Sequence, residues 1–220
     1  MENIRILSMN LGRRFVPVKD RKRKAYITDF INEEGYDIVM LQGDSIKHNI
    51  NLKQPQLNSS YNKIVYNDKV ATLYKSSLPF DDEVMVNFSY DVPVTSSIFS
   101  YKDFPMAFIN VNCEAPYNID SVCDICDSFG NDRYLPTRVV AGRFPREVNI
   151  NRLCQLLALD DISTLVRQEM YVKNNREMLN HFFISRNLEC MNVHKLTGMT
   201  EISGIGEAYP IEVTLKKVLK

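Results

Sequence analysis

Apolar residues fall along this chain in short runs rich in Val and Ile, most of them too brief for a helix. Residues 4–10 (IRILSMN) alternate Ile4, Ile6 and Ser8 against Arg5, Leu7 and Met9, and both faces are largely apolar. Residues 37–42 (DIVMLQ) are apolar on both faces as well, the mark of a strand covered from two sides. Between the two, Ala25, Tyr26, Ile27, Phe30 and Ile31 recur at helical spacing. That spacing predicts a helix over 20–34, with Asp20 as N-cap and Gly35 as C-cap.

The middle of the chain reads as successive strands at 63–66, 69–75, 83–90, 94–101 and 106–112. Turn residues separate them at Asn67-Asp68, Ser76-Ser77 and 91–93. A second helix is predicted over 149–170, where Leu153, Leu156, Leu157, Ile162, Leu165 and Val166 recur, and strands return at 181–185, 189–193 and 209–215. Antiparallel strands flanked by strand–helix units imply a mixed sheet, or two packed sheets with outer helices. There is no internal repeat, low-complexity tract or linker, so residues 1–220 are expected to form a single domain.

Composition narrows the class. A 45% hydrophobic, 25% charged chain is globular in composition, not disordered or fibrous. Lys+Arg and Asp+Glu both total 27, so any preference for nucleic acid must come from local clustering. No apolar stretch reaches the roughly 20 residues that span a bilayer, and the opening MENIRILSMN reads as a strand, not a leader. Five cysteines fit reduced thiols in a cytoplasmic compartment better than a disulfide framework.

Three local features bear on chemistry. Arg13, Arg14, Lys19, Arg21, Lys22, Arg23 and Lys24 cluster after the first strand, where functional crevices of α/β folds lie and phosphates can be held. Against this, a solvated lysine-rich first helical turn would look the same, though cations there oppose the helix dipole. Cys123 and Cys126 have a C-x-x-C spacing, but Cys113 and Cys154 complete no zinc pattern and Asp124 and Asp127 are generic, so ordinary free thiols are expected. Of His48, His181 and His194 none belongs to a recognisable triad, and His181 reads as a packed strand residue.

Taken together and in order, the strand ends resemble the endonuclease/exonuclease/phosphatase superfamily, which includes DNase I, exonuclease III-like abasic endonucleases, sphingomyelinases and inositol-polyphosphate 5-phosphatases. ILSMN, ending at Asn10, stands where that family has a strand ending W-N, and DIVMLQ where it has D-I-x-x-L-Q-E. KVATLYKSSLPF resembles its G-V-A-I-L hairpin strand, and AFINVNCEA (107–115) its strand ending N-T-H. VVAGRFP (139–145) stands for its G-D-F-N motif, LNHFFIS (179–185) for I-D-Y-I-F-V-S, and GEAYPIEVTL (206–215) for S-D-H-Y-P-I. The resemblance implies a four-layered α/β sandwich of DNase I-like fold. It also implies a strand-end cleft that holds Mg²⁺ or Mn²⁺ for phosphoester hydrolysis, with carboxylates on the cation and histidine on the phosphoryl oxygens.

At those positions the chain departs from the family. Asn10 is kept, but the metal-binding Glu is Gly43, with Asp44 one residue further on. The strand histidine aligns with Glu114, and the Asp and Asn of G-D-F-N with Arg143 and Pro145. The Asp of I-D-Y aligns with Asn180, and the final Asp-His pair with Glu207 and Ala208. A fixed positive charge at Arg143 would repel a cation about 4 Å away by roughly 4 kcal/mol per unit charge product at an effective dielectric of ~20. No catalytic residue and no metal cofactor is therefore expected.

Three functions follow. The leading one is a degenerate nuclease-like domain, a pseudoenzyme, whose basic cleft of Arg13, Arg14, Arg143 and Arg146, with Arg133 and Arg138, binds nucleic acid or another phosphorylated ligand without cutting it. The second is a protein-interaction module, which the neutral overall charge favours. The third is a rearranged Mg²⁺- or Mn²⁺-dependent hydrolase whose metal would rest on Asn10, Asp44, Glu114 and Glu207, with the Asp124/Asp127 pair in reserve. None of the three involves a membrane.

Overall fold

In the computed structural model, β1 (Ile4–Asn10) turns its alternation directly into burial: Ile4 and Ile6 enter one core, and Leu7 and Met9 another on the opposite face. The structure describes residues 3–11, 17–43, 46, 50, 60–66, 69–78, 94–100, 105–113, 137–144, 149–169, 180–196 and 210–217. The strands that follow β1 are β2 (Ile38–Gln42), β3 (Tyr61–Tyr66), β4 (Val70–Lys75), β5 (Val94–Ser100), β6 (Pro105–Asn112), β7 (Arg138–Arg143), β8 (Leu159–Asp161), β9 (Asn180–Ser185), β10 (Leu188–Lys195) and β11 (Ile211–Lys217). They make a six-stranded sheet in the order β10-β11-β1-β2-β4-β3 and a five-stranded sheet in the order β5-β6-β7-β9-β8. Both sheets are mixed: β1 runs parallel to β2 and β6 parallel to β7, while the remaining pairs are antiparallel.

The sheets pack face to face. Ile6, Met40 and Val213 of the first meet Phe108, Ala141 and Phe182 of the second in one buried cluster. Each of these side chains except the small Ala141 contributes about 1.5–3 kcal/mol on leaving water. On the outer face of the first sheet, Ile27 and Ile31 of helix α1 (Pro17–Glu34) pack on Leu7, Val39, Leu41 and Leu73. On the outer face of the second, Leu153 and Leu157 of helix α2 (Ile150–Leu157) pack on Ile109, Val140 and Phe183. Helix, sheet, sheet, helix is the layering the sequence implied.

The two predicted helices differ from expectation at informative places. Helix α1 starts at Pro17, three residues ahead of Asp20, because proline's missing N–H costs nothing at the first helical position. Its end is as expected: Gly35 sits at φ 60 and its N–H reaches the carbonyl of Ile31 at 3.2 Å. The second helix does not run over 149–170. It begins with Asn149 accepting from the Arg152 amide at 3.1 Å and stops at Leu157, where Ala158 turns left-handed at φ 50. Leu159–Asp161 then pairs with β9, and Ile162–Glu169 forms a 3₁₀ segment. The expected strand at 83–90 lies outside the described residues.

Candidate functional site

Parallel pairing brings strand ends to one level. Asn10 lies opposite Gln42 at the ends of β1 and β2, and Asn112 lies opposite Arg143 at the ends of β6 and β7. Asn180, the first residue of antiparallel β9, lies opposite Arg143 on its other side. Period-two geometry then decides the face. Asn10 continues the series of Ile4 and Ile6, Gln42 that of Ile38 and Met40, Asn112 that of Met106 and Phe108, Arg143 that of Val139 and Ala141, and Asn180 that of Phe182 and Ile184. All five therefore extend the apolar core between the sheets into a polar row. All are buried, Arg143 at 6% exposure and Asn180 at 0%.

A second polar layer lies beneath the row. The Gln42 Nε2 group donates to Asn110 Oδ1 at 2.7 Å, from one sheet to the other, and also to Ser8 Oγ at 3.3 Å and the Met40 carbonyl at 3.1 Å. The Asn110 Nδ2 group answers with bonds to the carbonyls of Leu41 (3.2 Å) and Ala71 (3.0 Å) and to Thr72 Oγ1 (3.1 Å). Thr72 and Thr95 share a further bond of 2.8 Å between the sheets. Asn112 Nδ2 donates to the Lys69 carbonyl at 3.4 Å.

Buried atoms of the row without a hydrogen-bond partner include Gln42 Oε1, Asn112 Oδ1 and both Oδ1 and Nδ2 of Asn180. Native proteins leave few such atoms unpaired, and unpaired ones mark places for water, ions or ligands.

Two glycines shape the approach to the row. Gly142 adopts φ +144, and a Cβ there would stand 1.9 Å from the Val111 carbonyl oxygen, so only glycine lets β6 and β7 close beside Arg143. Gly43, where the family resemblance places a metal-binding Glu, ends β2 at φ 145 with its N–H on the Lys69 carbonyl at 3.0 Å.

Hard divalent cations take oxygen ligands, and protein sites for them include at least one carboxylate to balance the charge. The described row offers amides and one guanidinium, and no cluster of three or more His, Cys, Asp or Glu suited to a metal occurs among the described residues. This donor set does not fit a divalent cation.

The other expected site residues fare differently. Glu114, Pro145, Glu207, Ala208, Asp44, Arg13, Arg14, Arg133 and Arg146 lie outside the described residues, as do Cys123, Cys126, Asp124 and Asp127. Arg138 does not join the cleft. It opens β7 at the end opposite Arg143 and on the opposite face, where its guanidinium donates to the Leu157 carbonyl at 2.9 Å. Lys19 and Arg21–Lys24 are part of helix α1 and not of a preceding loop.

One buried cluster escaped the sequence reading. His181 is packed, as expected, stacked on Phe183 at 5.6 Å and edge-on to Phe144. It also donates from Nδ1 to Asp161 Oδ2 at 2.9 Å, with both side chains almost fully buried. Asp161 Oδ1 accepts from the Ser163 amide at 3.1 Å and from the Ser163 hydroxyl, so Asp161 caps the 3₁₀ segment. Half-buried Cys154 is close enough for burial first, and the Asp161 charge second, to raise its thiol pKa. The signal that could have located the cap is Asp161-Ile162-Ser163, an acid two residues ahead of a hydroxyl, hidden inside an apparent helical repeat. The cluster lies on the outer face of the second sheet, away from the polar row.

No family model matches the sequence, and the search of curated proteins finds no match. Solved structures do match over nearly the whole chain. D. rerio TDP2 complexed with a single-strand DNA product aligns with a TM-score of 0.74 at 12% identity, covering 99% of this chain and 100% of that one. The human Nocturnin catalytic domain with bound sulfate aligns at 0.72 and 13% identity, covering 98% and 94%. An endonuclease/exonuclease/phosphatase from Bacteroides vulgatus aligns at 0.70 and 12% identity, covering 99% and 100%. With two packed mixed sheets between outer helices, and with these neighbours, the chain has the DNase I-like fold of the endonuclease/exonuclease/phosphatase superfamily.

Proposed function

We propose that this chain is a catalytically degenerate nuclease-like domain that binds a phosphate-containing ligand or nucleic-acid backbone without metal-dependent hydrolysis. One observation carries the reading: at the strand ends, a buried guanidinium, Arg143, stands between two neutral amides, Asn112 and Asn180. A guanidinium presents a planar fork of donors that matches phosphate oxygens, and the flanking amides add donors without adding repulsive charge. In the family resemblance, Arg143 and Asn180 stand where aspartates would be, so the charge that would hold a cation is replaced by charge that attracts an anion directly. The single-strand DNA product held by the TDP2 neighbour and the sulfate bound by the Nocturnin neighbour support this reading.

The test separates binding from cutting. Fluorescence polarisation of a labelled single-stranded oligonucleotide, in EDTA and low salt, should show binding that weakens steeply as salt rises and that Arg143→Ala reduces. The same oligonucleotide incubated with Mn²⁺ should stay intact. Cleavage abolished by Glu207→Ala would establish the rearranged hydrolase instead. Absence of binding at low salt, together with a protein that co-purifies stoichiometrically, would establish the interaction module.

A further inference from the structure

β10 (Leu188–Lys195) ends the six-stranded sheet, and among the described residues it pairs with a strand on one side only, β11. Proteins blunt such edges by keeping them short or by placing proline on them. β8, which ends the other sheet, is three residues long and runs directly into the 3₁₀ segment. β10 is eight residues long and has no proline. Met191 on β10 is exposed at 48%, and Leu165, on the 3₁₀ segment packed against β10, at 68%. That segment sends Ile162 into the core between the sheets, which anchors it below β10 and not along its edge.

Hydrogen bonding decides which backbone groups face the open edge. The Arg5 carbonyl accepts from the Asp37 amide at 2.9 Å, on the β2 side of β1, so Ile4 and Ile6 bond to β11 through Leu215 and Val213. Successive residues of a strand point their N–H and C=O to opposite sides, so Glu212, Thr214 and Lys216 bond to β10. The Leu196 N–H on the Pro210 carbonyl at 3.0 Å keeps the same alternation. Register then turns His194, Asn192 and Glu189 toward β11, and Val193 and Cys190 toward the open edge. The shift in register at Met191 is what sets an even-numbered and an odd-numbered residue on that edge together.

This arrangement complements itself. When two copies of β10 meet antiparallel about a two-fold axis between Met191 and Asn192, Cys190 of each faces Val193 of the other, and each pair exchanges both N–H···O bonds. The faces agree as well. Cys190 and Val193 both pack on the core side of the sheet, while Glu189 and His194 are both exposed and stand opposite each other. Asn192 Nδ2 donates to His194 Nε2 at 2.7 Å, which leaves the imidazole proton on Nδ1 to meet the Glu189 carboxylate. Both Met191 residues come to lie at the axis.

We propose that the open edge of β10 is a homodimer interface, at which two copies of this chain join their six-stranded sheets through antiparallel β10 strands. The occupant is a second copy because hydrogen-bonding direction, face and charge all match under one two-fold axis. The inference is independent of what the polar row binds.

Sedimentation of the full chain at roughly 1 μM to 1 mM, the range in which small interfaces associate, tests it under reducing conditions. The average mass should climb from 25.5 kDa toward twice that value. Val193→Pro removes an edge-directed N–H without taking a bond from β11, so it should weaken self-association at least about tenfold. The concentration series needs no variant, so a misfolded proline protein leaves the test intact. Register is read separately. In an antiparallel pair that exchanges both bonds, Cα atoms lie about 5.5 Å apart, within disulfide reach, so Val193→Cys should cross-link under mild oxidation to Cys190 of the other copy and run at double mass on a non-reducing gel. Adding Cys190→Ser should abolish that band. A mass that stays at 25.5 kDa throughout overturns the proposal, as does a dimer indifferent to Val193→Pro or one that fails to form the 190–193 cross-link. A different protein seated on this edge, with this chain alone remaining monomeric, overturns it too.

Discussion

Asn110 is the side chain on which the two sheets' polar contact turns, and Asn110→Leu is the perturbation that measures it. The substitution keeps the branched shape and the number of heavy atoms and removes both the Oδ1 that accepts from Gln42 at 2.7 Å and the NH₂ shared among Leu41 O, Ala71 O and Thr72 Oγ1. Two N–H donors and one acceptor are lost, about three bonds at 0.5–1.5 kcal/mol each. Some of the abandoned partners stay buried, and the new apolar side chain offsets part of the loss. The net destabilisation should be about 2–4 kcal/mol, a large share of the roughly 5–15 kcal/mol that folds an ordinary domain. Urea unfolding followed by far-ultraviolet circular dichroism would read this as a fall in midpoint of about 1–2 M at an ordinary m-value. Because the same amide orients Gln42, any affinity for the proposed phosphate-containing ligand should fall as well at temperatures where the variant stays folded. A midpoint within about 0.2 M of the parent, with m unchanged, would show that the amide network does not join the sheets, and the account of how the row is positioned would fail with it.

Three further outcomes follow from the same physics. Gly142→Ala places a methyl group on the Val111 carbonyl at a backbone angle that side chains rarely adopt; it should cost about 3 kcal/mol or more, and an unchanged melting temperature would contradict that. Glu212→Ala strips the acceptor from the buried Tyr36 hydroxyl (3.0 Å) and from Arg5 (3.0 Å), so it should cost about 1–3 kcal/mol in urea unfolding, whereas Glu34→Ala, at a largely exposed pair, should cost less than about 1 kcal/mol. Burial, and then Asp161, raise the Cys154 thiol pKa, so less thiolate is present at a given pH and alkylation mapped by mass spectrometry should lag behind the unfolded chain until the pH is raised; Asp161→Asn should speed it, and folded Cys154 reacting faster than unfolded would refute the assignment.

The strands were legible because alternation is a local property. Residues 4–10 and 37–42 needed only their own side chains to announce a strand with two buried faces, and β1 (Ile4–Asn10) and β2 (Ile38–Gln42) appear there. The helix end at Gly35 was equally local, since only the conformational freedom of glycine was required. The failure at 149–170 has the opposite cause. Its leucines recur at helical spacing, but Leu159–Asp161 finds partners on β9, far along the chain, and pairing there outweighs continuing the helix.

The candidate site divides in the same way. Sequence alone determined which residue types stand at the strand ends, among them Arg143 and Asn180 where the family resemblance implies acids. Tertiary structure alone decided that Asn112, Arg143 and Asn180 are neighbours in one register, that Gln42 and Asn110 bond between sheets, that Arg138 faces away, and that His181 meets Asp161. Side-chain type and strand periodicity are carried by each segment by itself. Register, face and the pairing of buried polar groups depend on which distant segments share a sheet, and hydrogen bonds between such segments exist only once the chain has folded.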